Sequence, residues 1–131
     1  MDDRHRPAVL GAVALGGALG TAARSGVAQL MPVAPGTFPW ATFLVNLSGS
    51  FALGAVLALV LQRFPTSRFV RPFVAVGFVG AYTTYSTFAV ETVLLVRDGH
   101  PALAVTYALT SLGAGFLLAW AGIWSVGRAR R

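Results

Sequence analysis

The sequence contains no cysteine, and its two histidines, His5 and His100, both lie outside the long apolar runs. Without cysteine there can be no disulfides, no thiolate metal sites and no thiol catalysis. With the histidines outside the runs, we do not expect a histidine-based metal site or a catalytic triad. The sequence also offers no nucleophile–base pair, so we do not expect an enzyme.

Charged residues are scarce as well. They make up 11% of the 131 residues, whereas 56% are hydrophobic and the mean hydropathy is +0.71. A soluble domain carries about 25% charged residues. So few polar side chains cannot cover a water-soluble globule, and we therefore expect a single-domain membrane protein.

Four apolar runs, at about residues 8–31, 40–61, 73–96 and 102–126, are each long enough to cross a bilayer. About 20 helical residues span the ~30 Å hydrocarbon core, in which backbone groups must bond internally. The runs predict an all-α membrane protein with four transmembrane helices in one domain, residues 1–131. The short links favour an up-down bundle of antiparallel neighbours. The first run is too long for a typical signal peptide, and we expect a retained helix.

All ten basic residues are arginine, and they are distributed unevenly. With four crossings, both termini and the second loop share one side of the membrane. That side holds eight arginines: Arg4, Arg6, Arg63, Arg68, Arg71, Arg128, Arg130 and Arg131. The other side holds Arg24 and Arg97. The positive-inside rule therefore predicts cytoplasmic termini, and the net charge of +6 indicates membrane topology more than nucleic-acid binding.

The third run combines glycine with threonine, and both are poor helix formers. One interpretation is a helix broken in mid-membrane, whose freed carbonyls would suit a hard cation. The other is an unbroken helix whose threonines bond back to carbonyls one turn earlier. The residues concerned are Gly77, Gly80, Thr83, Thr84 and Thr87.

Polar and aromatic residues also recur at helical spacing within the runs, and each set shares one helical face. If the faces converge, hydroxyls, an amide and aromatic edges line an interior that can replace water around a small hard anion. The alternative is that the aromatic rings only pack and the hydroxyls bond their own backbones. The residues are Asn46 and Ser50 in the second run, Tyr85, Phe88 and Glu91 in the third, and Tyr107 and Ser111 in the fourth.

Small residues four apart occur in three of the runs. Such pairs let helix backbones approach closely, and ordinary packing within the chain is their commonest role. Because four spans enclose little interior volume, we also expect a dimer. The pairs are Gly16 with Gly20, Ser50 with Gly54, and Ser111 with Gly115.

Three ordered motifs resemble those of the Fluc/CrcB family of fluoride channels, small four-helix membrane proteins that export toxic fluoride. They are GALGTAAR at residues 17–24, TFLVNLSGSF at residues 42–51 and GFVGAYTTYSTF at residues 77–88. The resemblance covers nearly the whole chain. It implies passive, fluoride-selective export across the cytoplasmic (inner) membrane, which confers fluoride resistance. It also implies a third helix broken in mid-membrane and an antiparallel, dual-topology dimer with two pores.

The resemblance also implies roles for individual residues. Asn46 would be a donor lining the pore, and Tyr85 and Phe88 would border the fluoride sites. The carbonyls of Gly80 and Thr83 would hold a structural Na⁺ at the dimer interface. The remaining expected positions are Tyr107 and Ser111 on a polar track, Glu91 near a pore mouth, and Arg24 as a structural anchor of the first helix.

Two positions depart from the family pattern. Tyr85 stands where the family commonly has phenylalanine, and Gly115 stands where some members have serine. The strong arginine bias also favours a single orientation, whereas an antiparallel homodimer needs both. A paralogue inserted oppositely is the alternative to a homodimer.

Two other functional classes remain open from the residues alone. A small multidrug-type exporter needs a titratable carboxylate deep in the membrane, and Glu91 lies nearer the end of its helix. In a non-transporting scaffold protein, the polar faces would only join helices.

Overall fold

The computed structural model describes residues 6–63 and 67–128, which are almost entirely helical. Four spans are long and apolar enough to cross a membrane, and the π-helix, α3 and α4 together form the third. The prediction of four spanning helices is confirmed, with observed ends within two residues of those expected. In chain order the elements are α1 (Arg6–Leu30), α2 (Trp40–Arg63), a π-helix (Arg71–Val79), α3 (Gly80–Tyr82), α4 (Tyr85–Arg97) and α5 (Pro101–Arg128).

The most extensive packing joins spans that are not neighbours in the sequence. α1 packs against the π-helix and α3, and α2 packs against α5, whereas α1 and α2 make few contacts. Gly16 meets Phe73 and Gly20 meets Phe78, so α1 and the π-helix run in the same direction. Ser50 of α2 meets Gly115 of α5, and Gly54 meets Ala119, so α2 and α5 also run in the same direction. Consecutive spans alternate in direction, as expected for an up-down bundle, but they contact each other less extensively than the parallel pairs do.

Glycine explains why these parallel pairs are preferred. A Cβ atom at Gly16 or Gly20 would collide with the main-chain carbonyls of Phe73 and Phe78. Between α2 and α5, a Cβ at Gly54 would collide with the Ala119 carbonyl. Bare glycine surfaces let the helix backbones touch and gain dispersion energy where the hydrophobic effect cannot drive association. The paired small residues in α1 and α2 thus serve packing within the chain.

The link from α4 to α5 is a tight glycine turn. Gly99 has φ +86°, its N–H donates to the Val96 carbonyl at 3.2 Å, and the His100 N–H donates to the Leu95 carbonyl at 2.8 Å. These two bonds form a Schellman motif, which needs a residue at positive φ. α5 then begins at Pro101, as suits a residue without a backbone N–H.

The direction in which each span runs determines at which end of the bundle its arginines lie. The beginnings of α1 and the π-helix and the ends of α2 and α5 lie at one end of the bundle. Arg6, Arg71 and Arg128 belong to that end, whereas Arg97 ends α4 at the other. The uneven distribution therefore holds among the described residues. Arg4, Arg130 and Arg131 lie outside them.

Candidate functional site

The third span is interrupted at Thr83 and Thr84. Both are extended, with φ/ψ of −76°/158° and −147°/120°. The broken helix is therefore the interpretation that the structure supports. Gly80, by contrast, is helical at −62°/−32°, and Gly77 packs on the α1 backbone. Of the glycines and threonines that the sequence offered as poor helix formers, Thr83 and Thr84 are the ones that leave the helix.

Asn46 on α2 bridges this break. Its Nδ2 donates to the Thr84 carbonyl at 2.9 Å, and its Oδ1 accepts the Thr84 N–H at 2.8 Å. Thr84 also caps α4, because its Oγ1 accepts the Thr87 N–H at 3.2 Å. The side chains thus satisfy polar groups that the interruption would otherwise leave unpaired. Together the two bonds use one of the two Asn46 N–H groups and one lone pair of its oxygen, so the amide retains a second donor.

The same bonds release two carbonyls from the helical pattern. In a continuous helix the Thr84 N–H would bond the Gly80 carbonyl, and the Thr87 N–H would bond the Thr83 carbonyl. Here those N–H groups donate to Asn46 and to the Thr84 hydroxyl. The carbonyls of Gly80 and Thr83 are the two expected to bind a cation, and both lack their regular helical donor.

Four of the residues predicted for the fluoride path line one groove beside the break. Asn46, Tyr85, Phe88 and Ser111 share it with Thr83 and small residues of α2 and α5. Tyr85 is 80% exposed. The Ser111 hydroxyl is buried and has no hydrogen-bond partner in residues 6–63 and 67–128. This groove therefore offers polar groups that are not already satisfied.

Tyr107 and Glu91 lie together in a neighbouring buried cluster. The Tyr107 hydroxyl donates to Glu91 Oε2 at 2.8 Å, and Thr42 donates to Glu91 Oε1 at 2.8 Å. Tyr107 is fully buried, so it does not line the groove as Ser111 does. Phe88 connects the two regions, because its ring centroid lies 5.1 Å from that of Tyr107 and 6.1 Å from that of Tyr85.

Arg24 lines a different groove, on another face of α2 and α4. The groove also contains Thr42, Thr84, Ser86 and Thr87. Its role as an anchor stays a prediction. Thr42 and Thr84 were not among the predicted site residues, although both are buried polar side chains in the structure. Spacing could have found Thr42, because it lies one helical turn before Asn46 on α2.

The amino-acid sequence that forms this broken span and its asparagine bridge matches the model of a known family. The model of the family described as CrcB-like protein, Camphor Resistance (CrcB), matches residues 11–123. The chain belongs to the CrcB family. Together with its four spans, this membership makes it a multi-pass membrane protein.

Curated relatives in the CrcB family are named fluoride-specific ion channels. The chain is 47% identical over 125 residues to FluC 3 of Streptomyces avermitilis, covering 95% of this chain but 61% of that protein. It is 41% identical over 133 residues to FluC 2 of Nocardia farcinica, covering 95% and 92% of the two chains. With FluC 2 of Moorella thermoacetica the identity is 46% over 116 residues, covering 88% and 93%.

Proposed function

We propose that this CrcB-family chain is a fluoride-selective channel that exports fluoride passively across the cytoplasmic membrane and so gives fluoride resistance. It is not an enzyme. The relatives named above are fluoride-specific ion channels. The observation that carries the proposal is the unpartnered Ser111 hydroxyl, buried in the groove that Asn46, Tyr85 and Phe88 also line.

The chemistry of this groove suits a small hard anion. Its described lining contains amide, hydroxyl and aromatic groups and no charged side chain. Ser111 and the second Asn46 N–H can donate to fluoride, and the positive ring edge of Phe88 can lie beside it. Neutral donors hold an anion without trapping it, which conduction requires. The pathway would continue past Phe88 towards Tyr107 and Glu91.

Polar groups left open to lipid in this groove are costly, so the channel needs a second subunit to close it. Tyr85 is exposed at the groove and would contact that subunit. The partner would be a second copy of the chain in antiparallel orientation, giving a homodimer of dual topology. Labelling of both termini from each side of the membrane tests this. Termini found on one side alone would require an oppositely inserted paralogue.

A structural sodium ion would join the two breaks in this dimer. The carbonyls of Gly80 and Thr83 fit a hard cation, which prefers oxygen ligands, because their helical donors are diverted. Two carbonyls from each subunit would provide four ligands. When bound, sodium would offset the negative ends of these carbonyl dipoles.

Fluoride efflux from liposomes containing the purified chain is the direct test. A potassium ionophore balances charge, and chloride efflux is the control. We expect rapid fluoride release without chloride release. Absence of fluoride release from well-folded protein would mean that a paralogous subunit is missing or that the chain is an exporter or a scaffold. Co-expression with a neighbouring homologue would restore release only in the first case.

A further inference from the structure

Three side chains form a stack along the last two turns of α5, and nothing in the conduction pathway uses them. Trp120 and Trp124 lie with ring centroids 6.2 Å apart and an interplanar angle of 20°. The Arg128 Cζ atom lies 3.8 Å from the centroid of the Trp124 ring. The three residues are spaced four apart, so they follow one another along a single strip of the helix.

This strip faces away from the protein interior. Gly122 packs on the main chain of Phe51 in α2. At about 100° per residue, Trp124 lies ~200° around the helix from Gly122. Trp120 and Trp124 are accordingly 60% and 47% exposed. Since α5 is a membrane span, these rings meet lipid near one of its surfaces, where tryptophan is enriched.

The geometry of Arg128 leaves its hydrogen-bonding edge available. A guanidinium placed over an indole uses its flat face for the cation–π contact. Its N–H donors lie in the plane of the group and point outward, in a fork that matches two phosphate oxygens. Trp124 thus fixes the orientation of the fork before any anion arrives, which lowers the entropic cost of binding.

The described residues place no carboxylate near the Arg128 guanidinium, so an anion that binds it comes from outside them. Within residues 6–63 and 67–128 the acidic side chains are Glu91 and Asp98. Both lie towards the other end of the bundle, and Glu91 is bonded to Thr42 and Tyr107. A 28-residue helix, Pro101–Arg128, separates the two ends by ~40 Å.

We infer that the Trp120–Trp124–Arg128 strip is a binding site for the phosphate headgroup of an anionic phospholipid, with Arg128 as the phosphate ligand and the two indoles against the lipid. Charge complementarity carries the choice of occupant. Arg71 begins the third span at the same end, so several arginines face that membrane surface. An anionic leaflet attracts such residues, and a lipid presents phosphate at the depth of the indole rings.

The tryptophan fluorescence of the full chain reports the local lipid directly. The chain has three tryptophans, and a Trp40→Phe background removes the one at the opposite end. Vesicles of phosphatidylcholine would contain a small fixed fraction of brominated phosphatidylglycerol or, in parallel, brominated phosphatidylcholine. We expect the anionic quencher to be enriched about fivefold beside the indoles, the preference of one arginine at an anionic surface.

Three variants separate the proposed contact from general attraction. Arg128→Gln should reduce the enrichment to near one, and Arg128→Lys should retain only part of it, because lysine keeps the charge and loses the fork. Arg97→Gln, an equal loss of charge at the other end, should leave it unchanged. Wild-type fluoride efflux from the Arg128 variants would establish that they are folded.

Four outcomes would overturn the inference. Equal quenching by both lipids would mean that the strip does not select an anionic headgroup. Full enrichment in the Arg128→Gln variant would assign the selectivity to other arginines. Weak quenching by either lipid would mean that protein, such as a second copy, covers the indoles. Displacement of the enrichment by millimolar inorganic phosphate would identify a soluble-anion site instead.

Discussion

The Asn46 side chain bonds both backbone groups of Thr84, at 2.9 Å and 2.8 Å, and so replaces the helical hydrogen bonds lost at the break. One side chain on α2 therefore stabilises the interruption in the third span. The same bonds divert the Thr84 N–H from the Gly80 carbonyl. The proposed anion path and the proposed cation site consequently depend on one residue.

Replacing Asn46 should therefore affect stability and conduction together. Asn46→Leu leaves the Thr84 N–H and carbonyl without partners in a low-dielectric environment, at about 1–3 kcal/mol for each group. We expect a lower unfolding temperature in detergent and loss of fluoride efflux. Ser48→Ala is the control on the same helix, since the Ser48 hydroxyl bonds carbonyls of its own helix and the Tyr82 hydroxyl but no backbone group of the break. An Asn46→Leu protein with wild-type stability would contradict the bridging role.

Phe88→Ile tests the aromatic role in conduction. The substitution removes a ring edge that lies between Tyr85 and Tyr107 while keeping an apolar side chain. We expect fluoride efflux to fall by about tenfold or more, equivalent to ~1.4 kcal/mol in the barrier. The dimer should remain intact by size-exclusion chromatography. Phe69→Ile, outside the groove, is the control. Equal efflux from both variants would show that the Phe88 ring has no role in conduction.

Two hydroxyls on α5 should behave differently when removed. Ser111→Ala deletes a hydroxyl with no partner among the described residues, so it should reduce efflux without lowering stability. Tyr107→Phe leaves Glu91 without one of its two donors and should lower stability by about 1–3 kcal/mol. Thermal unfolding, measured on both variants, would reveal this difference in stability. A destabilised Ser111→Ala protein would mean that the hydroxyl has a structural partner.

Hydrophobicity predicted the four spans because length and composition alone decide which segments enter a bilayer. Spacing predicted which residues share a face within one helix, such as Tyr85 with Phe88, since helical faces follow from residue number. It left open whether the faces of different helices converge on one groove. Spacing could not separate Tyr107 from the residues that line this groove, because its direction depends on its bond to Glu91 across two helices. The parallel pairing of spans was also missed, because it depends on which glycine surfaces meet.

Gly122→Ala tests this pairing of α2 with α5. A Cβ at Gly122 would collide with the Phe51 carbonyl and press on the Ala55 main chain. Overpacking of this kind costs about 1–3 kcal/mol. Gly113→Ala, on the same helix with open space around it, is the matched control and should be neutral or slightly stabilising. Equal unfolding temperatures for the two variants would contradict the close approach of these backbones.

Removal of sodium should weaken the dimer more than it weakens the folded subunit. The cation is proposed to be bound by the Gly80 and Thr83 carbonyls, whereas Asn46 maintains the break within each chain. We therefore expect purification in N-methylglucamine instead of sodium to shift the chain towards monomer and to reduce fluoride efflux, with helical content retained. Returning sodium should restore both. A dimer and an efflux rate indifferent to this exchange would argue against a structural cation and would leave the fluoride path itself intact.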